Sequence, residues 1–144
     1  MKKVQILNQL RSLTSYLLVF LFTYTVVNKL IDHNTFKTTI LQSPLIRNHA
    51  TVISWLFPIL ELSIAIMLLS AKYRQKGLLF SLLLMTIFTI YIAYMMLFIP
   101  HLPCSCGGIL QQLSWPGHLL FNSLVIILIL ISLLSYTRNK FLLQ

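Results

Sequence analysis

Residues 77–137 contain no Asp, Glu, Lys or Arg, an unbroken run of 61 residues. An ordinary soluble domain carries roughly a quarter charged residues, whereas this chain carries 9% and is 58% hydrophobic. Water cannot be the solvent for such a run, and the bilayer can. The run exceeds one crossing and is interrupted at residues 100–117 by Pro, Gly, Ser and Gln. It therefore reads as two spans joined by a loop, at about 77–99 and 118–136. Two further apolar stretches precede it, at about 12–31 and 51–70. A hydrocarbon core of about 30 Å needs about 20 helical residues, and in lipid the backbone must satisfy its own hydrogen bonds. The expected fold is an all-α integral membrane protein, one domain over residues 1–144, with four transmembrane helices in a bundle.

The first span begins after Met1-Lys2-Lys3, as a signal peptide would, but it ends in Asn28-Lys29-Leu30-Ile31-Asp32. No small-x-small cleavage site follows, so it reads as a retained helix. Orientation follows from the basic residues. Lys2, Lys3, Arg11, Lys72, Arg74, Lys76, Arg138 and Lys140 share one side of a four-crossing chain, and Lys29, Lys37 and Arg47 fall toward the other. The positive-inside rule then puts both termini in the cytoplasm, with loops 32–50 and 100–117 outward. The net charge of +9 is mainly this topology signal. No soluble element is long enough to present a basic nucleic-acid-binding surface. In the first outward loop, Phe36, Ile40 and Leu41 recur at helical spacing and Ser43-Pro44 stops the pattern, which predicts a short helix in the interface. Asp32, His33 and His49 read as solvated loop residues.

The second outward loop holds the chemistry. Cys104 and Cys106 are the only cysteines, separated by Ser105, between Pro103 and Gly107-Gly108. Such a turn allows the Cα separation of about 4.4–6.8 Å that a disulfide needs. A ring this small would be strained, hence easily reduced. It would also close almost no chain, so it would stabilise the fold little. On the oxidising side of the membrane such a pair suits thiol–disulfide exchange. The same residues leave other readings open: metal binding completed by His101 or His118, a plain staple, or two thiols without a role. Trp115, His118 and Asn122 fall at i, i+3 and i+7, so one face of the last helix carries all three. That face either lines a pocket or holds interface anchors and a helix–helix hydrogen bond. The N-terminal end of this helix would favour a thiolate nearby.

Glu61 lies about ten residues inside the second span, roughly 15 Å from its outer end. An ionisable group at that depth is expensive and marks a candidate site. Lys29, near the end of the first span, approaches it if its side chain reaches inward, and Pro58 one turn before Glu61 loosens the helix. Glu61 reads either as a proton acceptor or quinone-headgroup partner, or as half of a structural pair with Lys29, or as a protonated carboxyl bonded to a neighbouring helix.

Cys104-Ser105-Cys106-Gly107-Gly108, followed by Leu113-Ser114-Trp115 and His118-Leu119-Leu120-Phe121-Asn122, resembles the signature of the MauE branch of the DoxX-like redox-associated membrane proteins. The front half agrees, through Asn28-Lys29-Leu30, Asp32, Phe36, Ser43-Pro44-Leu45, and Pro58 with Glu61. The resemblance covers roughly residues 13–136 and implies a four-helix, redox-associated membrane protein. MauE itself is linked to maturation of methylamine dehydrogenase, whose small subunit has many disulfides. Membrane disulfide generators of the DsbB and vitamin K epoxide reductase type are also four-helix bundles that pass electrons to a quinone, but they use two cysteine pairs. This chain has one, which calls for a second pair on a thioredoxin-like or other exported redox partner.

The expected function is thus a membrane thiol–disulfide redox protein of the bacterial inner membrane, acting at the periplasmic face and supporting disulfide formation or maturation of an exported partner. Its enzymatic form would be a thiol–disulfide oxidoreductase. Cys104 and Cys106 are the candidate couple, with Glu61 and His118 as catalytic support. Lys29, Trp115 and Asn122 are candidate contacts to a quinone. The alternatives are a metal-binding or metal-delivery protein using the same cysteines with His, and a non-enzymatic membrane subunit of a larger complex.

Overall fold

The computed structural model describes residues 2–98 and 115–142. They form α1 (Lys2–Ile31), α2 (His33–Gln42), a 3-10 turn (Arg47–His49), α3 (Ala50–Leu69), α4 (Arg74–Phe98) and α5 (Trp115–Leu142), with no strand among the described residues. Four segments are long and apolar enough to cross a membrane: Asn8–Ile31, Arg47–Leu69, Arg74–Phe98 and Pro116–Ser135. Only 28–33% of each apolar window is buried inside the protein, so lipid must cover the rest. Phe20, Ile31 and Leu97 are each more than 70% exposed. The chain is an all-α integral membrane protein with four transmembrane helices.

Helix length exceeds the apolar spans at one end of the bundle. α1 has 30 residues, about 45 Å, and starts at Lys2 where hydropathy marks a start near residue 12. α5 continues to Leu142, beyond the apolar limit near residue 136. Hydropathy reports the lipid-covered length, whereas the helical backbone runs on through Gln5, Asn8, Gln9 and Arg11. Both overhangs lie at the end that carries the chain termini, here called the termini end. The opposite loop end carries α2 and the link from Phe98 to Trp115.

The four long helices make a closed ring, α1 beside α3, α3 beside α4, α4 beside α5 and α5 beside α1, with little contact across the diagonals. Their buried positions recur every three and four residues. α1 buries Ser15, Leu18, Phe22, Val26 and Lys29, and α3 buries Ala50, Ser54, Pro58, Glu61, Ile64, Ala65 and Leu68. α5 buries His118, Asn122, Val125, Ile129 and Ser132, and α4 buries Leu78, Ser81, Met85, Ile92 and Met95. A near-heptad seam on every helix is the pattern of left-handed bundle packing. Each long helix also contributes one fully buried serine: Ser15, Ser54, Ser81 and Ser132. Lipid tails are as apolar as Leu, so small residues that allow close approach drive packing here. The hydroxyls of Ser15, Ser54 and Ser81 donate to the carbonyls of Arg11, Thr51 and Gly77 in their own helices. A central cluster of Leu18, Phe22, Ile64, Ala65, Leu68, Leu78, Met85, Val125 and Ile129 ties all four helices together.

At the termini end, α3 turns into α4 through Ser70-Ala71-Lys72-Tyr73. Arg74 pins the turn: its Nε donates to the Leu68 carbonyl at 3.3 Å and its Nη1 to Ser12 Oγ of α1 at 3.2 Å. A methyl group on Gly77 would come within 3.1 Å of the Leu68 backbone nitrogen and side chain, so glycine sets how closely α4 folds back on α3. Gly77→Ala gains up to about 1 kcal/mol of helix propensity against about 1–3 kcal/mol of overpacking. Gly77→Val lacks that compensation. Thermal unfolding in detergent should therefore rank wild type above Gly77→Val by several degrees, with Gly77→Ala between them or near wild type.

Candidate functional site

The loop-end half of the bundle contains a buried ion pair. Lys29 Nζ donates to Glu61 Oε1 at 2.5 Å, with both side chains under 10% exposed. Geometry favours the meeting. In a helix each Cα–Cβ bond tilts toward the N-terminus. α1 enters from the termini end and α3 from the loop end, so Lys29 leans inward while Glu61 leans outward, and the two heads converge between their own Cα levels.

The second carboxylate oxygen is also engaged. Thr25 Oγ1 lies 3.2 Å from Glu61 Oε2 and 2.9 Å from the carbonyl of Phe22, so its single proton is shared between two acceptors. Thr25 and Lys29 are one turn apart on the same face of α1 and together cover both oxygens. Lys29 is further enclosed by aromatic faces, with Nζ 5.4 Å from the Phe36 ring centre and 5.9 Å from that of Phe57. Such contacts stabilise a cation where water is absent.

Phe36 comes from α2, which packs on α3. Asp32 starts α2, its side chain accepting from the backbone N–H of Thr35 at 3.4 Å. Ser43 ends it, with its N–H on the Ile40 carbonyl. Ile40 is buried and Phe36 half-buried, but Leu41 is exposed, so only part of the apolar stripe faces the bundle. His33 departs from the expectation of a solvated loop residue. Its ring packs at a tilt against Trp55 of α3 with centres 4.5 Å apart, and it is half-buried. The cause is tertiary, because α2 folds over the mouth of the α1–α3 groove. Asp32 and His49 are exposed.

α5 contributes His118 and Asn122, both 5% exposed and one turn apart. Asn122 Nδ2 is buried without a hydrogen-bond partner among the described residues, a costly state for an amide donor. Counting outward from the central cluster, Asn122 lies three residues beyond Val125, as Glu61 lies three before Ile64. Buried polar groups of three helices thus occupy the same half of the bundle, where α4 adds Ile92 and Met95. No hydrogen bond among the described residues joins His118 or Asn122 to the ion pair. Cys104, Cys106 and His101 lie outside the described residues, as does the side chain of Trp115.

Sequence reasoning named Lys29 and Glu61 and placed Phe36 on the short interfacial helix without joining it to the pair, and it missed Thr25 and Phe57. Thr25 and Phe57 each sit four residues before a charged member of the pair, so helical spacing could have found them. Phe36 needed the packing of α2.

Removing one partner leaves a buried charge unpaired, which costs about 3–5 kcal/mol. Lys29→Met or Glu61→Leu alone should lower stability by about that amount. Lys29→Met with Glu61→Leu together should recover most of the loss. A double-mutant cycle on unfolding in detergent measures the coupling.

The family profile described as methylamine utilisation protein MauE matches residues 7–135. The match takes in the four apolar spans, the Lys29–Glu61 pair and both cysteines. No curated protein and no solved structure gives a match. From a profile match over nearly the whole sequence, on four membrane-spanning helices, the chain belongs to the MauE family of membrane proteins.

Proposed function

We propose that this protein carries out thiol–disulfide exchange at the periplasmic face of a bacterial inner membrane and supports the maturation of an exported protein. The observation that carries the reading is the cysteine pair. The only two cysteines stand one residue apart in the uncharged link between α4 and α5. That link joins the helices at the loop end, where the buried polar groups gather and the cationic termini do not. The family name ties MauE proteins to methylamine utilisation, so proteins of a methylamine pathway are the first partners to try.

In this reading a partner thiolate attacks one sulfur of the Cys104–Cys106 disulfide. The S–S bond breaks, a mixed disulfide forms, and one sulfur here leaves as thiolate. A second thiol of the partner then attacks the mixed bond and departs in a disulfide. Two electrons have entered the Cys104–Cys106 pair, and two protons follow to give two thiols. A thioredoxin-like protein carrying its own disulfide accepts the electron pair by the reverse steps. The start of α5, with its positive helix end, would stabilise a thiolate in the link, and His118 would handle a proton there. A quinone is the lipid-soluble alternative acceptor. The buried Nδ2 of Asn122, which has no hydrogen-bond partner among the described residues, is a donor of the kind that a quinone carbonyl takes, and Lys29 and Trp115 would share that role. The two electrons and two protons of the Cys104 and Cys106 thiols would then leave on the quinone as quinol, with Glu61 as a relay for one of the protons.

The test is to trap the thiol state in intact cells with a membrane-impermeant alkylating reagent and mass readout. The proposal expects a disulfide that turns over, and a mixed disulfide that accumulates with Cys104→Ser or Cys106→Ser alone. Permanently free thiols that bind zinc or copper would replace it with metal delivery. Free thiols with neither metal nor trapped partner would leave a structural subunit.

A further inference from the structure

We propose that the termini end carries a binding site for the headgroup of an anionic phospholipid, centred on Arg74 and flanked by Lys72 and Lys76. The first observation is an uncompensated charge. The chain has two acidic residues, Asp32 and Glu61. Asp32 starts α2 at the loop end, and Glu61 is committed to Lys29 inside the bundle. Lys2, Lys3, Arg11, Lys72, Arg74, Lys76, Arg138 and Lys140 all lie at the termini end. Among the described residues no carboxylate side chain lies at that end beside Lys72, Arg74 and Lys76, which leaves their charge available to an anion from outside the chain.

The second observation is a cation held in place. Three separate parts of the fold position the Arg74 guanidinium: the Leu68 carbonyl of α3, the Ser12 hydroxyl of α1, and the Tyr16 ring, whose centre is 5.9 Å from Cζ. These contacts use Nε and Nη1. The remaining N–H donors have no hydrogen-bond partner among the described residues. A planar fork held in place by other contacts suits phosphate oxygens, because little side-chain freedom is lost on binding.

The third observation is position. Arg74 opens the apolar span of α4, which sets it at the boundary between hydrocarbon and headgroups. Lys72 and Lys76 are exposed on either side of it. Tyr16 and Tyr73 are exposed beside it, as aromatic side chains are at a membrane interface. Lys72 Nζ lies 5.6 Å from the Tyr73 ring centre. A phosphate at this depth belongs to a lipid. Nucleic acid or an acidic peptide would have to enter the headgroup layer to reach it. The bound headgroup would join α1 to the α3–α4 turn from outside, alongside the Arg74 contacts.

The test compares purified protein carrying phosphatidylglycerol with protein carrying phosphatidylcholine, by native mass spectrometry and by thermal unfolding. Phosphatidylglycerol should be retained preferentially and should raise the unfolding temperature, less so at high salt. Lys72→Gln and Lys76→Gln leave the Arg74 contacts intact. Each should reduce phosphatidylglycerol retention by about fivefold, with phosphatidylcholine unaffected and the fold retained. Arg74→Gln should abolish the preference, and the lysine variants keep the test valid if that protein fails to fold. Equal retention of the two lipids would overturn the proposal. So would lysine variants that bind phosphatidylglycerol as wild type does. Stabilisation by inorganic phosphate to the same extent would also overturn it, by reducing the site to one for any free anion.

Discussion

A charge inside a bilayer has few ways to exist, and the Lys29–Glu61 pair is how this protein meets that constraint. A lone charge at the centre of a span opposes insertion by about 2.5–3.5 kcal/mol. Together Lys29 and Glu61 form a neutral contact with Thr25 on the second carboxylate oxygen and two phenylalanine faces around the ammonium. The pair fixes which residues of α1 and α3 stand opposite each other, since a shift of one residue would turn one partner toward lipid. It also explains why α2 folds down onto the bundle. Phe36 of α2 covers Lys29, and the His33–Trp55 ring contact joins the same helix to α3.

The two ends of the bundle are built differently. At the termini end the helices close tightly through Gly77 against Leu68 and through the Arg74 contacts to α1 and α3. The middle is an apolar cluster shared by all four long helices. Toward the loop end the buried seam becomes polar, with Lys29, Glu61, His118 and Asn122. The tight turn thus closes one end of the bundle, and the buried ion pair lies toward the other.

Much of this fold could be read before the structure. The charge-free run and the two earlier apolar stretches mark four crossings, because the bilayer permits only self-satisfied helices. α2 was legible from Phe36 and Ile40 with the Ser43-Pro44 stop. The sequence lets Lys29 approach Glu61 if its side chain reaches inward, and the structure brings the two together. What escaped was what depends on contacts between elements. The overhangs of α1 and α5 escaped because hydropathy is blind to helix in the headgroup layer. His33 was read as solvated because its partner Trp55 is brought to it only by the packing of α2. Thr25 looked like an ordinary helical threonine until Glu61 arrived beside it. Cys104 and Cys106 drew attention through their spacing and composition alone, and their chemistry is an inference from sequence.

That chemistry is the central claim, and equilibrium redox titration of purified protein tests it most directly. Cys104 and Cys106 would be brought to equilibrium with a series of thiol–disulfide buffers, quenched in acid, and read by mass for the loss of two hydrogens. The account predicts a single reversible two-electron transition, with a potential above about −300 mV, as expected of a labile rather than a structural disulfide. Thiols that stay reduced in the most oxidising buffer, or a disulfide that stays closed in the most reducing one, would contradict it.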